Sequence, residues 1–552
     1  GQYGYGKGHV YGGASTERFG FLIEGVRLQS NGFKELPDGA DTGFVRNEWM
    51  VKANYVIDPR ARVRNEFKLK LTYSDEVSNE TYLGTTDADF RDNPDQRYPS
   101  SALDQMNNHR TSIVLTHKAE LAKHWSVVTN AYRHDFHRLW RRVNEMVGAS
   151  IPDVLRNPTG TNAAYYDVLR GASDSSNRNE TILLARNDRD FVSGGLESRF
   201  LWEGVTGAVS HRVEVGARYH YDRIDRRHNH DGYLMQDGEL TPDGLATEVI
   251  AFNEDKTHAV ALHALYALTW KGLTVTPGIR TEIVHSTTDD DLNNTSGKRT
   301  FMIPLPGLSA YYSLLPDFGV LAGVYQGFSP PPPGSDSSVK PEKSFNYEGG
   351  LRYMRGALRL EGIGFYNDYK NMTALCTGGS GCLDGDMVTS LGRARVYGLE
   401  AFGQHDLKLR PVTLPLLASY TFTRGEFLES FDTSDPCCLE VNKGDTVPYV
   451  PRHQFRVGAG VEHTRAGGNF SVTYLAKTRE ETEGTSDLLG EPLYMDQQVI
   501  VDLTGYVQIW KTVQIYLNVF NLLDARAIAS HRPFGARPNA PRWVQAGVKG
   551  SF

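Results

Sequence analysis

Apolar and polar side chains alternate one by one over most of this chain, the period-two pattern of extended strands whose two faces meet different surroundings. At the C-terminal end Val544, Ala546, Val548, Gly550 and Phe552 form one face, and Gln545, Gly547, Lys549 and Ser551 form the other. The preceding segments repeat the pattern. Val499, Val501, Leu503, Val507 and Ile509 alternate with Asp502, Thr504, Tyr506 and Gln508; after a tight turn at Lys511 and Thr512, Val513, Ile515, Leu517 and Val519 alternate with Gln514, Tyr516 and Asn518. In a soluble sandwich the apolar face would turn to a core. In a membrane barrel it turns to lipid, and the polar face turns to the lumen.

The connections decide between the two. Phe455, Val457, Ala459 and Val461 pass through the short turn Thr464 to Gly468 into Phe470, Val472 and Tyr474, after which Thr478 to Pro492 is long and polar. Short periplasmic turns alternating with long external loops are the habit of outer-membrane barrels. With short-turn ends taken as periplasmic, outward strands are predicted near Phe19 to Leu28, Arg62 to Tyr73, Trp125 to Tyr132, His211 to Tyr221, Leu273 to Val284, Phe318 to Phe328, Ala357 to Asn367, Val412 to Thr421, Phe470 to Ala476 and Val513 to Phe520. Inward strands fall between them, with one at Val10 to Ala14 before the first and one at Arg542 to Phe552 after the last, about 21 in all. Bacterial single-chain barrels have even strand numbers, so the expectation is an all-β transmembrane antiparallel barrel of about 22 strands whose first outward strand precedes Gly1. That is the size class of plugged outer-membrane transporters.

Composition narrows the picture further. The 552 residues include 55 glycines and 11% aromatic residues, and Pro, Gly and Asp clusters recur at intervals of about 20 to 30 residues, the punctuation of one meandering sheet. We therefore read residues 1–552 as one barrel domain. No stretch approaches the ~18 consecutive apolar residues of a transmembrane helix, and Gly1 opens no signal peptide. The net charge of -7, from 59 basic and 66 acidic residues, gives no reason to expect nucleic acid. No Gly-x-Ser-x-Gly elbow, His-Glu-x-x-His helix or phosphate-binding loop is present, so no enzyme and no cofactor are expected. The four cysteines form two local pairs, Cys376 with Cys382 and Cys437 with Cys438. A disulfide between Cys376 and Cys382 suits an oxidising compartment, although sequence leaves three pairings open. Neither pair has enough neighbouring ligands for a metal site.

An ordered series of motifs resembles the TonB-dependent outer-membrane receptors, with the ferric citrate transporter branch most similar. The series is Pro277-Gly278-Ile279-Arg280-Thr281-Glu282, Pro304-Leu305-Pro306-Gly307-Leu308, Pro341-Glu342 with Glu348-Gly349-Gly350, Tyr397-Gly398-Leu399-Glu400, Asn518-Val519-Phe520-Asn521-Leu522-Leu523-Asp524, and a final strand from Pro541-Arg542 to Phe552. The resemblance implies uptake of a ferric siderophore or ferric citrate across the bacterial outer membrane. Energy would come from TonB through a plug folded in the barrel. This chain shows neither plug nor TonB box, so the plug is expected before Gly1 or on a separate chain. Cobalamin, haem and oligosaccharides remain open as cargo; a passive porin or a barrel enzyme is a weaker alternative.

Strand parity places Arg133, His134, Arg138, Arg141 and Arg142 at the outer end of a strand, and Arg223, Arg226 and Arg227, with His228 and His230, in a second basic loop from Asp222 to Asp231. Guanidinium groups match carboxylate oxygens bidentately, so these residues suit an anionic iron chelate. A rim pairing with lipopolysaccharide phosphates or nearby acids is the reading placed ahead of direct ligand contact. Arg280 and Glu282, opposite Ile279, Thr281 and Ile283, are expected to face the lumen and bond a plug. Asp289 to Asp291 read as a solvated acidic loop, and Pro330 to Pro333 as the start of an external loop that cannot pair in a sheet. Trp125, Trp140, Trp202, Trp270, Trp510 and Trp543 fall near strand ends, where aromatic girdles lie.

Overall fold

Strands that cross a bilayer satisfy their backbone only by pairing with one another, and this chain does so from each wall strand to the next. The computed structural model describes residues 1–335, 339–376 and 387–552. No helix among them is long and apolar enough to cross a membrane. The wall consists of β1 (Gly6–Ser15), β2 (Phe19–Ser30), β3 (Phe44–Val56), β4 (Arg64–Ser78), β5 (Gln105–Ala122), β6 (Trp125–Met146), β7 (Ile182–Thr206), β8 (Val209–Gln236), β9 (Glu248–Trp270), β10 (Leu273–Asp290) and β11 (Thr295–Leu315). It continues through β12 (Phe318–Ser329), β13 (Glu342–Arg355), β14 (Leu358–Asn371), β15 (Ala394–Leu409), β16 (Val412–Phe427), β17 (His453–Glu462), β18 (Ala466–Leu475), β19 (Gln498–Trp510), β20 (Val513–Phe520) and β21 (Trp543–Gly550). Each pairs antiparallel with its neighbours in sequence. A short arm, Glu239–Pro242, pairs only with the end of β8 and makes the sheet 22-stranded.

All ten predicted outward strands correspond to the even-numbered members of this meander. Their inner ends meet the next strand through tight turns. At Lys271-Gly272 both residues have positive φ, 45° and 85°, the conformation whose twist matches that of the flanking strands. β1 and β21 run in the same direction and do not pair as strands. They touch where the Gln2 amide donates to the Val544 carbonyl at 3.0 Å and the Val544 amide donates to the Gln2 side chain at 2.9 Å.

Register shows which face meets lipid. Leu69, Leu115, Ala131, Leu196, Tyr219, Val260, Ile283 and Met302 are successive cross-strand partners from β4 to β11. This row is apolar and, in its larger members, exposed, with Leu196 at 53% and Met302 at 67%. The adjacent row turns the other way and is polar: the Tyr132 hydroxyl meets His220 Nδ1 at 2.7 Å and accepts from Arg218 Nε at 3.0 Å. Trp125, Trp202, Trp270 and Trp510 gather at the short-turn ends as an inner girdle, with Trp125 and Trp202 5.8 Å apart. Trp140 does not join a girdle; it lies at the outer end of β6, edge-on to Tyr82 at 4.5 Å.

The packed hydrophobic core lies in the outer loops rather than in the wall. Leu83, Val143, Ile151, Leu169, Ile182, Met235 and Phe534 belong to one buried cluster, built from loops 79–104, 147–181 and 521–542 with the ends of β6, β7 and β8. A second cluster holds Leu391, Phe427, Cys437, Cys438 and Val441. Cys437 and Cys438 are disulfide-bonded to each other; Cys382 lies outside the described residues, and with it the expected Cys376 bridge. The loops carry short helices, α1 (Asp87–Asp92), α2 (Ile151–Arg156), α3 (Ala163–Leu169) and α4 (Glu483–Leu489). In α1, α2 and α4 the preceding residue (Thr86, Ser150 or Thr482) caps the first turn through its side chain, satisfying an amide the helix itself leaves open.

The lipid-facing row makes a direct prediction. Val260→Arg places a cation on the apolar belt and is expected to cost about 2 to 4 kcal/mol of barrel stability, against less than about 1 kcal/mol for lumen-side Glu197→Gln. Urea titrations of folding into lipid vesicles measure both values.

Candidate functional site

The outer loops are tied together across strands far apart in the wall. Arg156 of α2 reaches Glu481 at 2.6 Å, Arg91 of α1 reaches Asp496 at 2.8 Å, and Arg532 reaches Asp435 at 3.2 Å. At the centre of these ties His531 is held between two carboxylates, Nδ1 against Glu480 at 2.8 Å and Nε2 against Asp87 at 2.9 Å. The Tyr449 hydroxyl donates to the other oxygen of Glu480 at 2.9 Å. Three loops thus meet on one imidazole. Burial works against charge on His531, but the two carboxylates outweigh it and push the ring up to about 9. Burial of Glu480 opposes its ionisation; hydrogen bonds from His531 and the nearby imidazolium prevail and hold it below the usual carboxylate range.

The motif Asn521-Leu522-Leu523-Asp524 has a structural reason. Asn521 adopts φ 48°, a left-handed conformation that Asn tolerates better than most residues. Its buried side chain donates to the Ala525 and Ala540 carbonyls at 3.0 and 2.9 Å and accepts the Ala525 amide at 3.0 Å. Asp524 then accepts the Arg542 amide at 2.7 Å. The motif pins both ends of the last outer loop.

Below the loops, β5 to β9 run past the apolar belt, and their inward face carries three stacked rows. The lowest joins Arg110, Phe136, Phe191 and Ile224. The second joins Asn108, Arg138, Arg189, Arg226 and Asn253, and the third joins Met106, Trp140, Asn187, His228 and Ala251. Three arginines on three adjacent strands therefore sit side by side. Like charges directly opposite one another destabilise a sheet, and neighbours offset part of that cost: Arg226 pairs with Asp255 and reaches Asn253 at 3.0 Å, while Arg189 Nε donates to His228 Nε2 at 2.9 Å. That donation makes His228 Nε2 an unprotonated acceptor. Arg142, 5% exposed, lies one pleat further out, donating to Asn144 at 2.6 Å and stacked 4.2 Å from the Tyr82 ring centroid. Arg110, His134, Phe136, Phe191, Asp222 and Pro333 help line a recess of about 560 Å³ at the foot of this surface.

The sequence-predicted residues divide by face. His134, Arg138, Arg142 and Arg226 share this inward surface, whereas Arg133, Arg141, Arg223 and Arg227 occupy the alternate positions and point outward. Arg133 pairs with Asp135 at 2.8 Å, Arg223 with Asp225 at 3.0 Å, and Arg141 donates to the Leu103 carbonyl at 2.6 Å. The expected basic loop from Asp222 to Asp231 is corrected: β8 continues unbroken to Gln236 because each residue from Asp222 to Arg227 pairs with both β7 and β9. The acidic run is corrected likewise. β10 extends to Asp290, whose carboxylate accepts the Leu292 and Asn293 amides at 3.0 and 3.1 Å and so makes the turn. Arg110 and Arg189 were missed by sequence reasoning; alternation along the full strands, paired across neighbours, is the signal that finds them. Arg280 and Glu282 lie opposite Ile279 and Ile283, bonded to each other at 2.6 Å, and Arg280 lines a recess of about 570 Å³ with Glu197, Arg199, Glu214 and His263.

An apolar belt outside, a polar lumen inside and long tied loops on one side define an outer-membrane β-barrel. The family model described as TonB dependent receptor-like, beta-barrel matches residues 30–522. In fold the chain is similar to the ferric citrate transporter FecA in its unliganded form, at a TM-score of 0.75 and 18% identity, covering 98% of this chain and 74% of that one. It is similar also to the siderophore receptor PiuA from Acinetobacter baumannii, at 0.74 and 11%, covering 100% and 78%. The ferric yersiniabactin uptake receptor FyuA from Yersinia pestis gives 0.70 and 18%, covering 99% and 77%. The chain belongs to the TonB-dependent receptor β-barrel family, a family of outer-membrane transporters and receptors rather than enzymes.

The His531 node sets a pH window for the loops. A histidine raised from 6.5 to about 9 contributes stability that is complete below pH 6.5 and lost as pH rises through 9, at most about 3 kcal/mol. Buried Asp104, pushed up to about 7 by desolvation, gives up its own contribution as pH rises towards 7, and Lys34, lowered to about 8 by burial, adds stability only as pH rises above 8, so between pH 7 and 8 the histidine dominates. Proteolysis of the outer loops should accelerate over that interval in the unmodified chain. In His531→Gln it should be fast already at pH 7 and change little across the interval, each rate being normalised to an unstructured peptide.

Proposed function

We propose that this barrel takes up an anionic ferric chelate of the carboxylate type, ferric citrate or a carboxylate siderophore, by TonB-dependent transport across the outer membrane. The observation that carries the reading is the inward row Arg138, Arg189 and Arg226, extended by Arg142, His134 and Arg110. A chain with net charge -7 has concentrated cations on one patch of its vestibule, where a multiply charged carboxylate chelate would accept bidentate guanidinium bonds. The arginines facing outward suit lipopolysaccharide phosphates instead. Neutral cargo such as cobalamin or an oligosaccharide has no use for such a row.

A plug, in the same chain or a separate one, and one more wall strand belong to the same proposal. An odd number of antiparallel strands leaves β1 and β21 running the same way, and a further antiparallel strand between them would satisfy both edges at bilayer depth. Arg280, Glu282 and their charged neighbours on the lumen wall would then bond the plug.

Charge-assisted hydrogen bonds are each worth about 1.5 to 3 kcal/mol, so the triple variant Arg138→Ala, Arg189→Ala, Arg226→Ala should weaken ferric citrate binding by at least about 100-fold. The outward set, Arg133→Ala, Arg223→Ala, Arg227→Ala, should leave it within about twofold. Equilibrium binding to the detergent-solubilised protein measures both; an unchanged affinity in the inward variant sinks the reading.

A further inference from the structure

On the exterior of the barrel, a pleat or two beyond the apolar belt, one cross-strand row consists of Asp75, His109, His137, Asp190, Asp225, Glu254 and Asp289. Most of its carboxylates have visible partners: Asp225 meets Arg223 at 3.0 Å, and Asp75 accepts from Asn47 at 2.8 Å. The stretch at β6 and β7 differs. Asp188 and Asp190, two apart on β7, point the same way, and among the described residues neither has a Lys or Arg nitrogen within 4.0 Å. His137 alone stands between them, its Nδ1 2.9 Å from Asp190 Oδ1 and 3.6 Å from Asp188 Oδ1. The three donor atoms lie within 4.8 Å of one another.

Two further observations single the cluster out. The Asp188 Oδ1 atom is shielded from solvent yet has no hydrogen-bond donor, which is costly for a carboxylate unless something positive reaches it. The ring of His109 on β5 lies beside that of His137, centroids 5.1 Å apart. The donors sit within two paired strands, so the site is held by the sheet rather than by a loop.

We propose that His137, Asp188 and Asp190, with His109 adjacent, form a binding site for a divalent transition-metal ion of the zinc class on the outer surface of the barrel. One imidazole and two carboxylates, three protein donors that leave a fourth position to water, suit such an ion, whereas calcium takes six to eight oxygens. An ion there neutralises the paired carboxylates and staples β6 and β7 together beneath the loop core. The site faces away from the lumen and is independent of the transported cargo.

The test uses the whole chain, folded in detergent, stripped with EDTA and titrated with zinc chloride by calorimetry. Zinc should bind the unmodified protein at this site, and both His137→Ala and the isosteric Asp190→Asn should weaken that binding by at least about tenfold. Cobalt substitution should give a visible tetrahedral absorption band that His137→Ala abolishes. Heat-modifiable migration on gels checks that each variant remains a folded barrel, and Asp190→Asn, which preserves shape, serves if His137→Ala does not fold. No zinc binding, zinc binding equal in the unmodified protein and both variants, or calcium binding tighter than zinc at this site overturns the proposal.

Discussion

A backbone amide or carbonyl at bilayer depth has no water to bond, so each must find another strand. The rest of the structure depends on that constraint. It forces the wall into an uninterrupted antiparallel meander, the meander forces side chains to alternate between lipid and lumen, and alternation fixes the face of every later residue. Once Leu196 faces lipid, Asp190 must face outward and Arg189 inward, because only whole pleats separate Leu196 from Asp190 along β7 and Arg189 is offset by one residue. Recognition chemistry and membrane chemistry are thus written on the same strands at alternate positions.

The same constraint exports the core. A single-layer wall has no second layer against which to pack, and its apolar side chains remain on the surface for lipid. Close packing appears only where the chain leaves the sheet, around Val143, Ile151, Leu169, Ile182 and Phe534. These loops cannot rely on the barrel for stability, and they combine apolar burial with charged ties that reach across the mouth. His531 shows how strongly they are coupled: removing its charge would leave Glu480, 2% exposed, buried against a neutral ring, and uncompensated buried charge is far costlier than a lost surface ion pair.

Much of the wall was legible in the sequence because period-two alternation and short turns are local signals. The ten outward strands and the lumen-side position of Arg280 and Glu282 follow from counting. What escaped was less local. β6 to β9 extend well beyond the bilayer, and above the belt both faces become polar, so Asp222 to Asp231 loses its alternation and reads as a loop although it is paired on both sides. The loop core was equally hidden, since Leu83, Met235 and Phe534 meet only after the meander has brought distant segments together. Asn521 lies between these cases: its motif was visible, but its reason, a positive φ and three hydrogen bonds, was not.

The long strands also explain how the barrel tolerates a row of arginines. Within the belt, three cations side by side would oppose insertion; above it, water and the paired Asp255 and His228 moderate their repulsion while the sheet holds their Cα atoms in fixed register. On the proposed reading, a sheet that holds like-charge neighbours in register presents them together to an anion that binds across them. A loop carrying the same arginines would let them separate. On that reading, placing the cations on β6, β7 and β8 rather than in the loops would join affinity for an anionic ligand to the rigidity that the bilayer already imposes on the strands below.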